Sequence, residues 1–324
     1  IRSTPTAGIS DDELLKALAA EEIAKYQRQP TQQRQGFSRM AIHPTAVVDE
    51  KAQLGADVKI GPFCVVEEDV VLGDGCVLEA RAIIRNGSRL GSENHLFEGA
   101  LVGGMPQHLQ IPQRIGGVVL GNGNQIRENA TIHCALHEGQ NTVIGDGNMI
   151  MVNTHVAHDC VIGNNTVLIN NTMVAGHVEV GDRAYVAGGS GIQQFRRVGR
   201  LATVGGQARV TKDVPPFVML DGVNCAVVGL NKVGIRRAGY TPQEISEIRE
   251  AYDLIFRSGL TWKEVCLRLP REFPQGPAAE FHAFISAGGK YGFATERRVP
   301  SHVTLPMSLA NDDDQRPELR VQAG

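Results

Sequence analysis

The residues best suited to chemistry lie in two short stretches. One reads Asn153-Thr154-His155-Val156-Ala157-His158-Asp159-Cys160, and the other Ala175-Gly176-His177. A histidine titrates near neutrality and can take a proton from a hydroxyl. An adjacent carboxylate, here Asp159, can fix its tautomer and stabilise the imidazolium. A backbone N–H, as at Gly176, can stabilise an oxyanion. Those three parts are what acyl transfer from a thioester to an alcohol requires, and losing the base lowers such a rate by about a hundred- to ten-thousandfold. Two other readings fit the same residue types. Histidines on an exterior surface can be merely solvated, and grouped histidines can bind zinc. The spacing matches no familiar zinc pattern, so neither a metal nor another cofactor is expected.

What would bring the two stretches together is a repeat. Of the 29 positions that are multiples of six between Ile42 and Val210, 26 are Ile, Leu or Val, the exceptions being His108, Arg114 and Glu138. Glycine often follows the aliphatic residue, as at Gly55, Gly61, Gly73, Gly145 and Gly163, where a corner needs unusual backbone angles. This is a hexapeptide repeat, the signature of a parallel β-helix. Three hexapeptides make a coil of 18 residues, which sets His158 beside Gly176 and Asp159 beside His177 on strands roughly 4.8 Å apart. His155 falls next to that patch. Two excursions, 103–119 and 133–143, return in phase and read as loops projecting from intact coils, where binding residues are commonly carried.

Composition agrees with a solenoid filled by stacked aliphatic side chains: aromatic content is 5% and there are 37 glycines in 324 residues. A net charge of -3 argues against a nucleic-acid surface. No apolar run is long enough for a membrane span and no signal peptide is visible, which points to the cytoplasm. Cys64, Cys76 and Cys160 each fall four residues after a repeat aliphatic, where a small side chain is wanted, and read as packing residues in a reducing compartment.

The chain divides into four parts. Residues 1–39 read as an N-terminal extension, a helix opening at Ser10-Asp11-Asp12-Glu13 followed by a polar linker. Residues 40–217 form the β-helix, which the paired prolines of Asp213-Val214-Pro215-Pro216-Phe217 bring to an end. Residues 218–298 form a helical domain: Thr241-Pro242-Gln243-Glu244 opens a helix striped by Ile245, Ile248, Tyr252 and Ile255, with a stop at Gly259. Thr261 to Glu264 repeats the opening signal, and a third helix is expected over Ala278 to Ile285. Residues 299–324 read as a disordered tail.

The chain also resembles a known family, the UDP-N-acetylglucosamine O-acyltransferases that begin lipid A synthesis. The resemblance rests on IHPTAVV (42–48), IGPFCVV (60–66), IRENATIH (126–133), NTHVAHDC (153–160), VAGHV (174–178), DVPPF (213–217) and GIRRAGY (234–240). It implies a mainly β fold, a left-handed parallel β-helix with a C-terminal α-helical domain, assembled as a homotrimer with active sites between subunits. It implies His158 as general base for the sugar 3-hydroxyl, Asp159 as its polarising partner and Gly176 as the oxyanion N–H. It implies Gln107, His155, His177, Gln194, Asn231 and Arg237 as contacts to the sugar nucleotide or donor, and Gly206 at the end of an acyl groove that a glycine leaves open. The donor would be an acyl carrier protein, met by a basic surface of Arg196, Arg197, Arg200, Lys232, Arg236 and Arg237.

Three positions depart from the family pattern: His108 and Gln110 stand for an Asp and a Lys, and Gln193 for a His. The acceptor is therefore open to change, for example to a 3-amino sugar nucleotide. Three other functions compete: the related N-acyltransferase, which carries a larger N-terminal domain than 39 residues allow; a metal enzyme like the γ-carbonic anhydrases; and a non-catalytic hexapeptide scaffold.

Overall fold

The structure, a computed structural model, describes residues 42–288 and 291–296. The N-terminal extension and the C-terminal tail expected from the sequence lie outside the described residues. The hexapeptide period becomes a left-handed parallel β-helix of three sheets, with nine, eight and ten strands. Most strands are two residues long, for example Lys59–Ile60, Val65–Val66 and Val71–Leu72. In each, the first residue faces outward and the second inward, because side chains alternate along a strand. The inward residue is the repeat aliphatic.

Register turns those residues into columns. In the ten-stranded sheet Ile60 pairs with Leu78, Leu78 with Leu96, Leu96 with Ile126 and Ile126 with Ile150. The step grows from 18 to 30 or 24 residues where the two loops are inserted, yet the inward column continues. Whole hexapeptides are added, so facing is preserved. Ile60, Leu78, Leu96, Ile126 and Ile150 are all almost fully buried. Burying each contributes roughly 1.5–3 kcal/mol, and no coil can realise that alone.

Corner positions carry a second set of ladders. Asn94, Asn124, Asn148 and Thr166 are buried inside one corner. Asn94 Oδ1 accepts from the backbone N–H and the side-chain amide of Asn124, at 3.0 and 2.9 Å. Asn124 Oδ1 accepts in the same way from Asn148, both at 2.9 Å, and Asn148 Oδ1 from Thr166 N–H and hydroxyl, both at 2.7 Å. Cys64, Cys76 and Cys160 occupy equivalent inward positions with no exposure, as expected of packing residues. Burial pushes the Cys160 thiol up to about 12, so it stays protonated and unreactive.

The parallel stack runs one strand past the paired prolines: Val218–Leu220 pairs with Thr203–Val204, then Val227–Leu230 adds antiparallel. Helix α1 (Lys232–Arg237) follows, then α2 (Pro242–Phe256), α3 (Trp262–Glu272) and α4 (Ala279–Ser286). Both expected capping boxes form, Thr241 with Glu244 and Thr261 with Glu264. Three arginines fasten these helices to the last coils. Arg196 is 2% exposed, its guanidinium lying 3.5 Å from the Tyr291 ring centroid. Arg197 pairs with the buried Asp213 of the coil at 2.8 Å and lies over the Phe284 ring of α4 at 4.4 Å, and Arg200 pairs with Glu280 of α4 at 2.9 Å. The expected basic surface is therefore narrower than the sequence suggests, because only Lys232, Arg236 and Arg237, all on α1, remain exposed.

Candidate active site

The nine-stranded sheet carries the candidate residues on the corner that follows its strands. His155 opens the strand His155–Val156, which pairs with Met173–Val174, and that in turn with Gly191–Ile192. The corners after these strands stack His158, Gly176 and Gln194 in one column and Asp159, His177 and Phe195 in the next. Those last three have φ of 59°, 60° and 61°. Left-handed backbone is disfavoured for residues with a Cβ, and least so for Asn and Asp. The same conformation recurs at corners along the whole coil, for example at Phe63, Arg81 and Leu201, so it belongs to the architecture of the corner.

Asp159 organises the corner. Its Oδ2 lies 2.7 Å from His158 Nδ1 and 3.7 Å from His177 Nε2. The backbone N–H of Leu136, in the second projecting loop, donates to both carboxylate oxygens at 3.3 and 3.2 Å. Asp159 N–H itself donates to Thr142 Oγ1 at 2.9 Å. With Nδ1 donating to the carboxylate, Nε2 is the His158 nitrogen left to accept, the arrangement a general base needs. His158 is 4% exposed. Its ring meets those of His177 at 5.1 Å and His108 at 5.7 Å between centroids, both edge-on, while His177 stacks flat on Phe195 at 4.6 Å.

Gly176 closes over the His158 ring. A Cβ there would come within 2.6 Å of His158 Cε1 and 2.7 Å of Nε2. Among the described residues its N–H meets no protein acceptor, which leaves it available to an oxyanion. Gly176→Ala is expected to keep the fold and displace the imidazole, lowering kcat about a hundredfold. A variant within threefold of the parent in a steady-state acyl-transfer assay would show that the close approach is incidental.

Behind the corner lies a histidine that sequence reasoning did not single out. His133 packs edge-on against His155 at 4.7 Å, and His155 Nδ1 sits 2.8 Å from Thr131 Oγ1. Burial holds the His133 imidazole down at about 4, against an ordinary 6.5; burial lowers His155 and His177 as well. A base depressed in the folded state is protonated preferentially in the unfolded chain. Its contribution is present above the unfolded value and is lost as pH falls toward the folded one. Unfolding by urea should show His133 removing about 2 kcal/mol of stability between about pH 7.5 and 5. His133→Asn should flatten that part of the pH dependence; an unchanged slope would assign it to other groups.

Other expected residues sit apart. Gln107 is exposed in the loop that also carries His108. Gly206 is exposed on a different corner, after Thr203–Val204 of the ten-stranded sheet. Asn231 is the N-cap of α1: its Oδ1 accepts from Gly234 N–H at 2.9 Å and its Nδ2 donates to Leu201 O at 2.8 Å. Arg237 is exposed in the last turn of that helix. A cavity of about 410 Å³ is bordered by Glu67, Arg85, Met105, Ile115 and His133. A single chain thus brings His158, Asp159, His177 and Gly176 together.

Comparisons with known proteins agree with this architecture. Residues 213–294 match the family described as "Udp N-acetylglucosamine O-acyltransferase; Domain 2", and 51–86, 141–168 and 159–194 match the bacterial transferase hexapeptide. The acyl-[acyl-carrier-protein]–UDP-N-acetylglucosamine O-acyltransferase of Myxococcus xanthus is 47% identical over 232 residues, covering 71% of this chain and 90% of its own. The UDP-N-acetylglucosamine acyltransferase structure from Francisella novicida superposes with a TM-score of 0.76 at 34% identity, covering 79% of this chain and 94% of that one. LpxA from Acinetobacter baumannii gives 0.74 at 36%, covering 78% and 99%. Identity of this level over nearly the whole of these relatives, with the same fold, makes the chain a member of the acyl-[acyl-carrier-protein]–UDP-N-acetylglucosamine O-acyltransferase family.

Proposed function

We propose that this protein transfers an acyl chain from acyl carrier protein to the 3-hydroxyl of UDP-N-acetylglucosamine, the first step of lipid A synthesis. The observation that carries the mechanism is the His158–Asp159 pair at 2.7 Å with Gly176 against the ring. His158 Nε2 takes the proton of the sugar hydroxyl as its oxygen attacks the thioester carbonyl. Asp159 keeps the Nδ1 proton in place and stabilises the imidazolium. The tetrahedral oxyanion accepts from Gly176 N–H. Collapse forms the ester and expels the pantetheine thiolate, which recovers the proton from His158 Nε2. His155, His177 and Gln194, on the same or adjoining coils, would hold the sugar nucleotide, with Gln107 reaching it from the loop bearing His108.

The dispersal of Gly206, Asn231 and Arg237 supports a homotrimer in which neighbouring chains bring an acyl groove and the nucleotide contacts to each corner, with closed threefold symmetry. Asn231, committed to capping, would act by fixing α1 and hence Arg237. The exposed Lys232, Arg236 and Arg237 suit an acidic carrier protein. None of the described helices is long and apolar enough to cross a membrane, and a cytoplasmic enzyme is part of the proposal. Incubation with 3-hydroxyacyl carrier protein and UDP-N-acetylglucosamine, followed by mass spectrometry, should yield the 3-O-acylated sugar nucleotide. Turnover of the 3-amino analogue alone would instead tie His108 and Gln110 to a changed acceptor, and no product with either would remove the proposal.

A further inference from the structure

We propose that His158, Asp159 and His177 also form a binding site for a divalent transition ion of the zinc class, and that its occupation switches the base off. One nitrogen from each imidazole and one carboxylate oxygen lie within 4.8 Å of one another. Asp159 Oδ2 is 2.7 Å from His158 Nδ1 and 3.7 Å from His177 Nε2. Zinc holds nitrogen and oxygen at about 2.0–2.1 Å in a tetrahedron, which separates neighbouring donor atoms by about 3.3 Å. The two distances straddle that value and the third, between the two imidazole nitrogens, is within 4.8 Å, so side-chain adjustments of the order of an ångström make a three-donor site. Two imidazoles and a carboxylate are a donor set zinc readily accepts.

The surroundings favour such a site. Metal-binding carboxylates are usually themselves oriented by hydrogen bonds, and the Leu136 N–H already donates to both oxygens of Asp159. The His177 ring is steadied by its stack on Phe195. The side chain of His177 is 36% exposed, so an ion can enter from solvent and complete its coordination with water. His108, edge-on to His158, offers another imidazole on the same side.

Occupation would alter one atom that matters. The ion takes the Nδ1 lone pair, so the one proton of the neutral His158 imidazole moves from Nδ1 to Nε2 by way of solvent; protons compete with the ion for all three side chains, so binding strengthens as pH rises. With Nδ1 bound to metal and the proton on Nε2, that nitrogen can no longer accept one from a hydroxyl. The metal acts as an inhibitor, not as a cofactor. This inhibitory part rests on the proposed role of His158; the binding part does not.

Titration of the full chain with Co²⁺, after treatment with chelator, separates the two. Intense visible bands of four- or five-coordinate cobalt are expected, displaced by Zn²⁺. Affinity should fall about tenfold or more in Asp159→Asn and in His177→Ala, each checked for folding by circular dichroism, and stay unchanged in His43→Gln, a substitution of an exposed histidine in the first coil. Bands that persist in both site variants, or only the weak spectrum of octahedral aqueous cobalt, would overturn the site. In parallel, Zn²⁺ should inhibit acyl transfer reversibly, with activity restored by chelator. Binding without inhibition would overturn the switch alone. Failure of acyl transfer in metal-free protein would count against the proposed function and leave the cobalt result standing.

Discussion

Asp159→Asn is expected to lower kcat by about two to four orders of magnitude, nearly as far as His158→Ala. The asparagine keeps the shape of the aspartate and tolerates the left-handed backbone at φ 59° as well as any residue other than glycine. Its amide, however, can donate to His158 Nδ1, which places the imidazole proton on Nε2. The base is then present in the wrong tautomer. His158→Ala removes it outright, and what remains is catalysis by positioning and by the Gly176 N–H. Steady-state turnover with saturating acyl carrier protein and sugar nucleotide, read by mass spectrometry, measures both variants. The two substitutions should not be additive, because they act on one proton path. An Asp159→Asn enzyme within tenfold of the parent would mean that the contact at 2.7 Å only packs the corner.

The largest expected effect on stability comes from the polar ladder rather than the aliphatic core. Asn124→Ala should cost about 3–5 kcal/mol, read as a lower urea midpoint. Asn124 accepts two hydrogen bonds from Asn148 and donates one side-chain bond to Asn94, and all three residues are buried. Removal leaves two donors and part of one acceptor dry and unpaired, at roughly 1–3 kcal/mol for each group. For comparison, Ile150→Ala within the same coils is expected to cost about 2–5 kcal/mol through lost burial and a cavity. Asn124→Asp would test the sign of the argument: one oxygen can still accept from Asn148, but a buried charge and a lost donor to Asn94 should destabilise further. A value below about 1 kcal/mol for Asn124→Ala would indicate that water replaces the amide.

Much of this could be read from the order of residues. A six-residue aliphatic period has one economical solution, because every repeat must bury the same face against its neighbours. That fixed the coils, the 18-residue register and the meeting of His158 with Gly176 and Asp159 with His177. In-phase returns after residues 119 and 143 identified both loops, and cap residues located the helices that begin after Thr241 and Thr261. These features are periodic or local, so sequence spacing translates directly into space.

The remainder depended on contacts between distant segments. Leu136 N–H reaches Asp159 from a loop whose path no period governs. His133 lies beside His155 because a 24-residue step, not an 18-residue one, separates their strands. Phe195 joins the site through its ring, which stacks on His177 one coil away. Arg196, Arg197 and Arg200 read as surface charge in the sequence; packing against Tyr291, Phe284 and Glu280 makes them fastenings. Sequence determined which residues face inward and which corners align, because those follow from chain geometry alone. Tertiary structure decided which polar groups find partners, since that depends on where loops and helices return to the coil.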